Sequence, residues 1–341
     1  MMEILFEYLI FLLKALTVAV AIVIPILIII SSIKSSSSST SGGLRVKNLS
    51  TKYANTADDL KLSVLSAKER KVLEKNIKKE NKNKKKEKVS RKHIFVLNFN
   101  GDIEASQVEE LREEISSILN ADTKCQEVVL NLESGGGTVI GYGLAAAQLS
   151  RLKDSKIKLT VCIDKVAASG GYMMACIADK IIASPFALIG SIGVIGAVPN
   201  FNKLLKKNDI EYEMHTAGEY KRTITMFGEN TDEGREKFKD DLANIHELFK
   251  KHVAKYRPTL DVNKVATGEV WQGIEAIDVG LVDKIQTSDS YLIEQNKKFD
   301  IFEVSFKPKK NMQDRFSRFL SFSITKTINK IFENFSKQKF M

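Results

Sequence analysis

Apolar and polar positions along this chain change period several times between Ile94 and Tyr256, from the two-residue rhythm of strands to the three-to-four-residue rhythm of helices. Ile94 to Phe99 (IFVLNF) predicts a short strand, and from Ala105 the apolar Val108, Leu111, Ile115, Ile118 and Leu119 recur as one helix face. Glu127 to Leu132 (EVVLNL) predicts the next strand. A Gly-rich turn follows, then a helix over Thr138 to Leu152, a third strand over Lys156 to Ile163, and a small-residue turn into a helix from about Ala168. Such alternation predicts an α/β fold of parallel strands joined by right-handed crossover helices, with ligands at the carboxyl ends of the strands. Lys180 to Ala183 and Ile210 to His215 predict further strands. Thr231 to Tyr256 predicts a long charged helix whose first turn carries Asp232 and Glu233, where the helix dipole favours them.

The two ends follow other patterns. Ala15 to Ile33 is a run of 19 residues without charge between Lys14 and Lys34, and as a helix it would rise roughly 28 Å. That length predicts one N-terminal transmembrane helix. Glu3 and Glu7 and the poor cleavage site at Ser31 and Ser32 favour a retained anchor over a cleaved signal peptide. Flanking charge does not choose an orientation, because Lys14 and the amino terminus oppose Lys34, Arg45 and Lys47. Beyond the anchor, Ser35 to Gly43 cannot bury apolar area and reads as a tether. At the far end Phe316, Phe319, Leu320, Ile324, Ile328, Ile331, Phe332 and Phe335 alternate with Arg and Lys at helical spacing, a basic amphipathic helix suited to a membrane surface, a partner or its own domain. The expected organisation is therefore an anchor over 1–34, a Ser/Gly tether and charged linker over 35–92, a catalytic domain over 93–290 and a C-terminal extension over 291–341.

Composition narrows the function classes. The formal charge of +10 is nearly all one tract, since Lys68 to Lys92 holds thirteen basic residues against four Glu, a net of +9. The tract has no aromatic residue to stack on bases, so a solvated linker or an anionic bilayer surface is the expected partner rather than nucleic acid. Cys125, Cys162 and Cys176 lack metal-ligand spacing and read as small apolar residues. No metal and no cofactor is expected. The four histidines, His93, His215, His246 and His252, all lie outside the Gly-rich turns.

Two strand-to-helix turns carry candidate chemistry: Glu133-Ser134-Gly135-Gly136-Gly137, and Ala167-Ala168-Ser169-Gly170-Gly171-Tyr172. Acyl transfer needs backbone N–H groups close to a developing oxyanion, and glycines permit that approach. Ser169 can supply a nucleophile, with Gly170 and Gly136 as oxyanion donors. Tight packing alone also produces such turns. With histidine scarce, the proton acceptor would be a carboxylate or a lysine made neutral by burial. Lys221, in Thr216-Ala217-Gly218-Glu219-Tyr220-Lys221-Arg222, is a candidate, yet spacing alone does not separate it from the other surface cations.

A family resemblance does separate it. DKVAASGGYMMA (Asp164 to Ala175), ASPFALIGSIGV (Ala183 to Val194), HTAGEYKRT (His215 to Thr223) and ATGEVWQGIEAIDVGLVD (Ala266 to Asp283) occur in order, and together they resemble the signal-peptide-peptidase A, or S49, family of serine peptidases. The anchor, the charged linker, GYGLAA (Gly141 to Ala146) and the basic tail are most similar to the shorter members of that family. The resemblance implies a Clp protease/crotonase-like fold and a dyad of Ser169 as nucleophile and Lys221 as general base. It places the oxyanion turn at Ser134 to Gly137, where Gly135 stands at the family's usual proline, which makes the turn less rigid. It further implies polypeptide substrates, such as signal-peptide remnants or envelope proteins. A homo-oligomer is expected, in which the lysine can come from an adjacent subunit. The implied location is a bacterial inner membrane, with the catalytic domain on the periplasmic side. Ser191 is expected to cap a tight turn or orient the lysine, Trp271 to join the core and Tyr172 to pack beside the nucleophile. Two other readings keep the fold: a crotonase-type acyl-CoA enzyme, and a catalytically silent membrane scaffold.

Overall fold

The computed structural model describes residues 42–86, 91–121 and 123–308, together with Phe11 and Lys14. The expected membrane span and the amphipathic C-terminal helix lie outside the described residues, among which no helix is long and apolar enough to cross a membrane.

In chain order, strand β1 (Gly43–Asn48) leads into helix α1 (Leu49–Val64) and the Lys-rich helix α2 (Ala67–Lys86). Strand β2 (His93–Gly101), helix α3 (Val108–Asn120), strand β3 (Cys125–Ser134), helix α4 (Val139–Asp154) and strand β4 (Lys158–Ile163) then alternate as the periodicity predicts. Strand β5 (Val166–Ala168) and helix α5 (Gly170–Ala175) flank Ser169, and strands β6 (Lys180–Ala183) and β7 (Leu188–Gly190) follow. Helix α6 (Asn202–Lys207) and the long α7 (Asp232–Tyr256) enclose a stretch without regular structure. The remaining elements are α8 (Val262–Val265), β8 (Val270–Gln272), α9 (Gly273–Ala276), β9 (Lys284–Ile285), α10 (Ser288–Asn296) and β10 (Asp300–Lys307).

The main sheet runs β1-β10-β2-β3-β4-β6-β9, and β2, β3, β4 and β6 pair in parallel. Alternation in β2 divides its side chains between two cores: Phe95, Leu97 and Phe99 face the large cluster, Ile94 and Val96 the small one. Leu111, Ile115 and Ile118 of α3 and Leu149 and Leu152 of α4 close the large cluster, each fully buried apolar side chain contributing about 1.5–3 kcal/mol. Thr138 caps α4 by accepting the Gly141 N–H at 3.4 Å, and Thr231 caps α7 by accepting that of Gly234 at 3.0 Å. Cys162 and Cys176 are buried free thiols, as their apolar surroundings imply.

The sheet also draws strands from both sides of residues 93–290, because β10 lies between β1 and β2. The charged approach carries helices α1 and α2 as far as Lys86. One expectation needs correction. Ile210 to His215 forms no strand: its apolar residues Ile210, Tyr212 and Met214 are exposed, and no edge of the sheet reaches them.

Candidate active site

The two Gly-rich turns meet because β3 ends beside β5. Ser134, the last residue of β3, pairs with Ala167, and Ser169 follows one residue after β5. Ser169 has φ 52° and ψ −118°, a left-handed conformation that costs a serine of order 1–3 kcal/mol and persists only where the surroundings enforce it. Here they do. The Ser169 N–H donates to the Gly190 carbonyl at 2.8 Å, and the Ser169 carbonyl accepts from Met173 N–H at 3.0 Å.

The glycines interlock with this turn. Gly136 has φ 89°, and a Cβ on it would stand 2.7 Å from both the Gly170 nitrogen and the Ser169 Cβ. A Cβ on Gly171 would stand 2.6 Å from the Ser134 carbonyl oxygen, and one on Gly170 would enter the ring of Tyr142. Gly135 differs, since a Cβ there meets nothing within 4 Å. The structure thus brings together Ser169, Gly170 and Gly136 of the expected site.

The N–H groups are not all free. Gly136 donates to Ser134 Oγ at 3.0 Å, whereas the N–H groups of Gly137 and Gly170 have no acceptor among the described residues. Gly137, Ser169 and Gly170 all line a cavity of about 90 Å³, walled by Val139, Tyr142, Met173, Val194, Ile195, Ile245 and Phe249. These apolar walls were missed by sequence reasoning, because helix α7 and the stretch after β7 reach the cavity only through the fold; within the expected oxyanion turn the donor singled out was Gly136, not Gly137.

Lys221 is not brought to the cavity within one chain. It is exposed, on a loop without regular structure, its backbone N–H donating to the Gly218 carbonyl at 3.2 Å and its side chain outside the cavity lining. Tyr142 is the only ionisable side chain among the lining residues, and burial holds its phenol above the ordinary value. The histidines nearest in the fold are occupied. His246 Nε2 lies 3.2 Å from the Ile192 carbonyl and His252 Nε2 lies 2.9 Å from that of Met173, with burial pushing the His252 pKa down. Ser191, φ 50°, follows β7 in a stretch without regular structure and donates its N–H to the distant Glu269 carbonyl at 2.6 Å. Trp271 is partly buried against the large cluster, and Tyr172 is buried, its hydroxyl donating to the Leu281 carbonyl at 3.0 Å. No cluster of metal-ligating side chains occurs among the described residues.

Residues 3–149 match the model of the peptidase family S49 N-terminal region, and residues 151–301 that of peptidase family S49. A probable protease SohB of Haemophilus influenzae is 46% identical over 328 residues, covering 93% of each chain. The chain belongs to peptidase family S49. A probable protease SohB of Buchnera aphidicola subsp. Schizaphis graminum is 47% identical over 341 residues, covering 97% of this chain and 98% of that one. Among solved structures, a lysine-to-alanine mutant of the 1510-N membrane-bound stomatin-specific protease, in complex with a substrate peptide, is similar at a TM-score of 0.41 and 12% identity, over 68% of this chain and 99% of that one. Membership of S49 makes this chain a protease built on a mixed α/β sheet.

Proposed function

We propose that the protein is a membrane-anchored serine endopeptidase in which Ser169 is the nucleophile and Lys221, supplied by a neighbouring copy of the chain, is the general base. The observation that carries this reading is the cavity itself: a strained serine and two residues with unengaged N–H groups line a small apolar space whose lining offers no base. Ser169 Oγ attacks the peptide carbonyl carbon while the uncharged Lys221 amine takes its proton, and that proton then passes to the leaving amine. The N–H groups of Gly170 and of the 134–138 turn hold the tetrahedral oxyanion, each worth about 2.7–4 kcal/mol where such a donor has been removed. The acyl-enzyme is released by water under the same base. Apolar walls favour an apolar substrate side chain next to the scissile bond.

A base from a second copy is supported by the surface around Lys221. Ile195 (92% exposed), Phe201, Leu204, Ile210, Tyr212 and Tyr220 lie between β7 and α7 and are exposed in the single chain, a density of apolar surface suited to association. The N-terminal apolar run supports attachment to a bacterial inner membrane, and the S49 resemblance supports a periplasmic catalytic domain acting on membrane-proximal polypeptides. An alkaline phosphatase fusion at the C-terminus should be active on that topology.

A fluorophosphonate probe tests the central claim. Labelling of the wild type that vanishes in Ser169→Ala supports the peptidase. Absent labelling, or acyl-CoA turnover that survives Ser169→Ala, would overturn it.

A further inference from the structure

Tyr142, in the first turn of α4, stands where the two turns meet. Its hydroxyl donates to the Asp102 carbonyl at 2.7 Å and also bonds Ser134 Oγ. Because the phenol proton is committed to Asp102, Ser134 supplies the proton of the second bond. Ser134 Oγ then accepts the Gly136 N–H at 3.0 Å. A one-directional chain results, from Gly136 N–H through the Ser134 and Tyr142 hydroxyls to the Asp102 carbonyl. Tyr142 and Ser134 are both buried, so the bond between their hydroxyls is shielded from water that would otherwise compete for it, while Gly136 is half-buried and Asp102 exposed at the two ends.

The ring has a second contact. Gly170 lies so closely on it that a Cβ there would overlap Cγ, Cδ2 and Cβ of Tyr142, while Phe99 meets the ring edge-on at 6.4 Å and 72°. Gly101 leaves the space for both hydroxyls, since a Cβ on it would collide with them. One side chain therefore holds both N–H-bearing turns beside Ser169, the first by a hydrogen-bond chain and the second by its ring.

Three consecutive glycines, Gly135 to Gly137, have the largest backbone freedom a chain can offer. No atom within 4 Å of a Cβ on Gly135 limits that residue. Oxyanion stabilisation depends on donors fixed before the charge develops, so a turn this free needs an anchor. We propose that Tyr142, acting through Ser134, is the positioning residue that fixes the oxyanion-binding turn of this peptidase and takes the place of a rigid residue at position 135. The inference rests on the reading of Ser169 as an acyl-transfer nucleophile.

The test uses the full-length, detergent-solubilised protein as wild type, Tyr142→Phe, Ser134→Ala, Ser134→Thr and the Tyr142→Phe/Ser134→Ala double variant. Tyr142→Phe keeps the ring and should lower kcat on a chromogenic peptide about tenfold or more, with KM changed by less than about twofold. Affinity for a peptide aldehyde, which forms a tetrahedral adduct, should fall in parallel with kcat/KM. The double variant should be no worse than the poorer single variant, because one chain is broken once. Should Tyr142→Phe unfold, the Ser134 pair decides, Ser134→Thr retaining kcat and Ser134→Ala losing it. A kcat within about twofold of wild type in both Tyr142→Phe and Ser134→Ala, or a loss confined to KM, overturns the proposal. Failure of the wild type to take a fluorophosphonate label at Ser169 removes the peptidase reading first. A labelled wild type with unimpaired variants removes only the role of Tyr142.

Discussion

The turns around Ser169 and the loop around Lys221 differ in nearly every physical respect. The first pair packs on the core through buried Ser134, Gly170 and Gly171, holds a serine at positive φ by two backbone hydrogen bonds and leaves no room for a Cβ at Gly136, Gly170 or Gly171. The second is exposed, lacks regular structure and carries apolar side chains that stay largely open in the single chain. On the proposed mechanism, the difference means that a single chain builds the half of the site that binds and attacks a carbonyl and leaves the half that accepts a proton to be finished by contact with another chain.

The largest expected effect breaks that division directly. Ser169→Ala and Lys221→Ala should each lower peptide cleavage by about 10³-fold or more. Co-expressing the two inactive chains should restore measurable cleavage, since some sites then combine an intact serine with an intact lysine from the neighbour. A mixture as inactive as its parents would place both groups in one chain. Next in size, Gly170→Ala should push a methyl into the Tyr142 ring and remove activity by about 10²–10³-fold, with a lower Tm in thermal unfolding.

Two smaller effects concern the ordered part alone. Glu114 of α3 is buried and accepts the Phe306 N–H at 2.8 Å, and burial raises its carboxyl from 4.5 to about 7. The folded state therefore holds a proton that the unfolded state releases. This contribution is fully present below pH 4.5 and is lost as pH rises through about 7. Glu114→Gln should match the wild type at pH 4.5 and exceed it at pH 8 by on the order of 1–3 kcal/mol, measured by urea unfolding. Gly135→Pro should be accepted, because Gly135 has open space and follows an extended strand residue. A gain of about 0.4–1 kcal/mol is expected, with kcat unchanged or higher.

Much of the fold was legible because buried parallel strands write themselves as continuous apolar runs. Lys180 to Ala183 coincides with β6, and the runs at Ile94 and Glu127 fall inside β2 and β3. Strands of three residues, such as β5, β7 and β8, leave no period to read. At β10, DIFEVSFK mixes charged and apolar positions, and its place beside β2 is a tertiary fact. Ile210 to His215 has strand chemistry without a neighbour to pair with. In the site, Ser169, Gly170 and Gly136 were legible through their glycines. Lys221 was singled out only by family resemblance. Tyr142 was invisible as an anchor, because its partners lie 40 residues and 8 residues earlier in the chain.

The position of β10 also orders events during synthesis. Because it lies between β1 and β2, the residues that open the sheet cannot be stitched in until nearly the whole described chain has left the ribosome. The turn that carries Ser169 is made well over a hundred residues earlier. A nascent chain thus holds Ser169 in an unfinished scaffold, and a product cut short before Asp300 would leave β1 with no neighbouring strand.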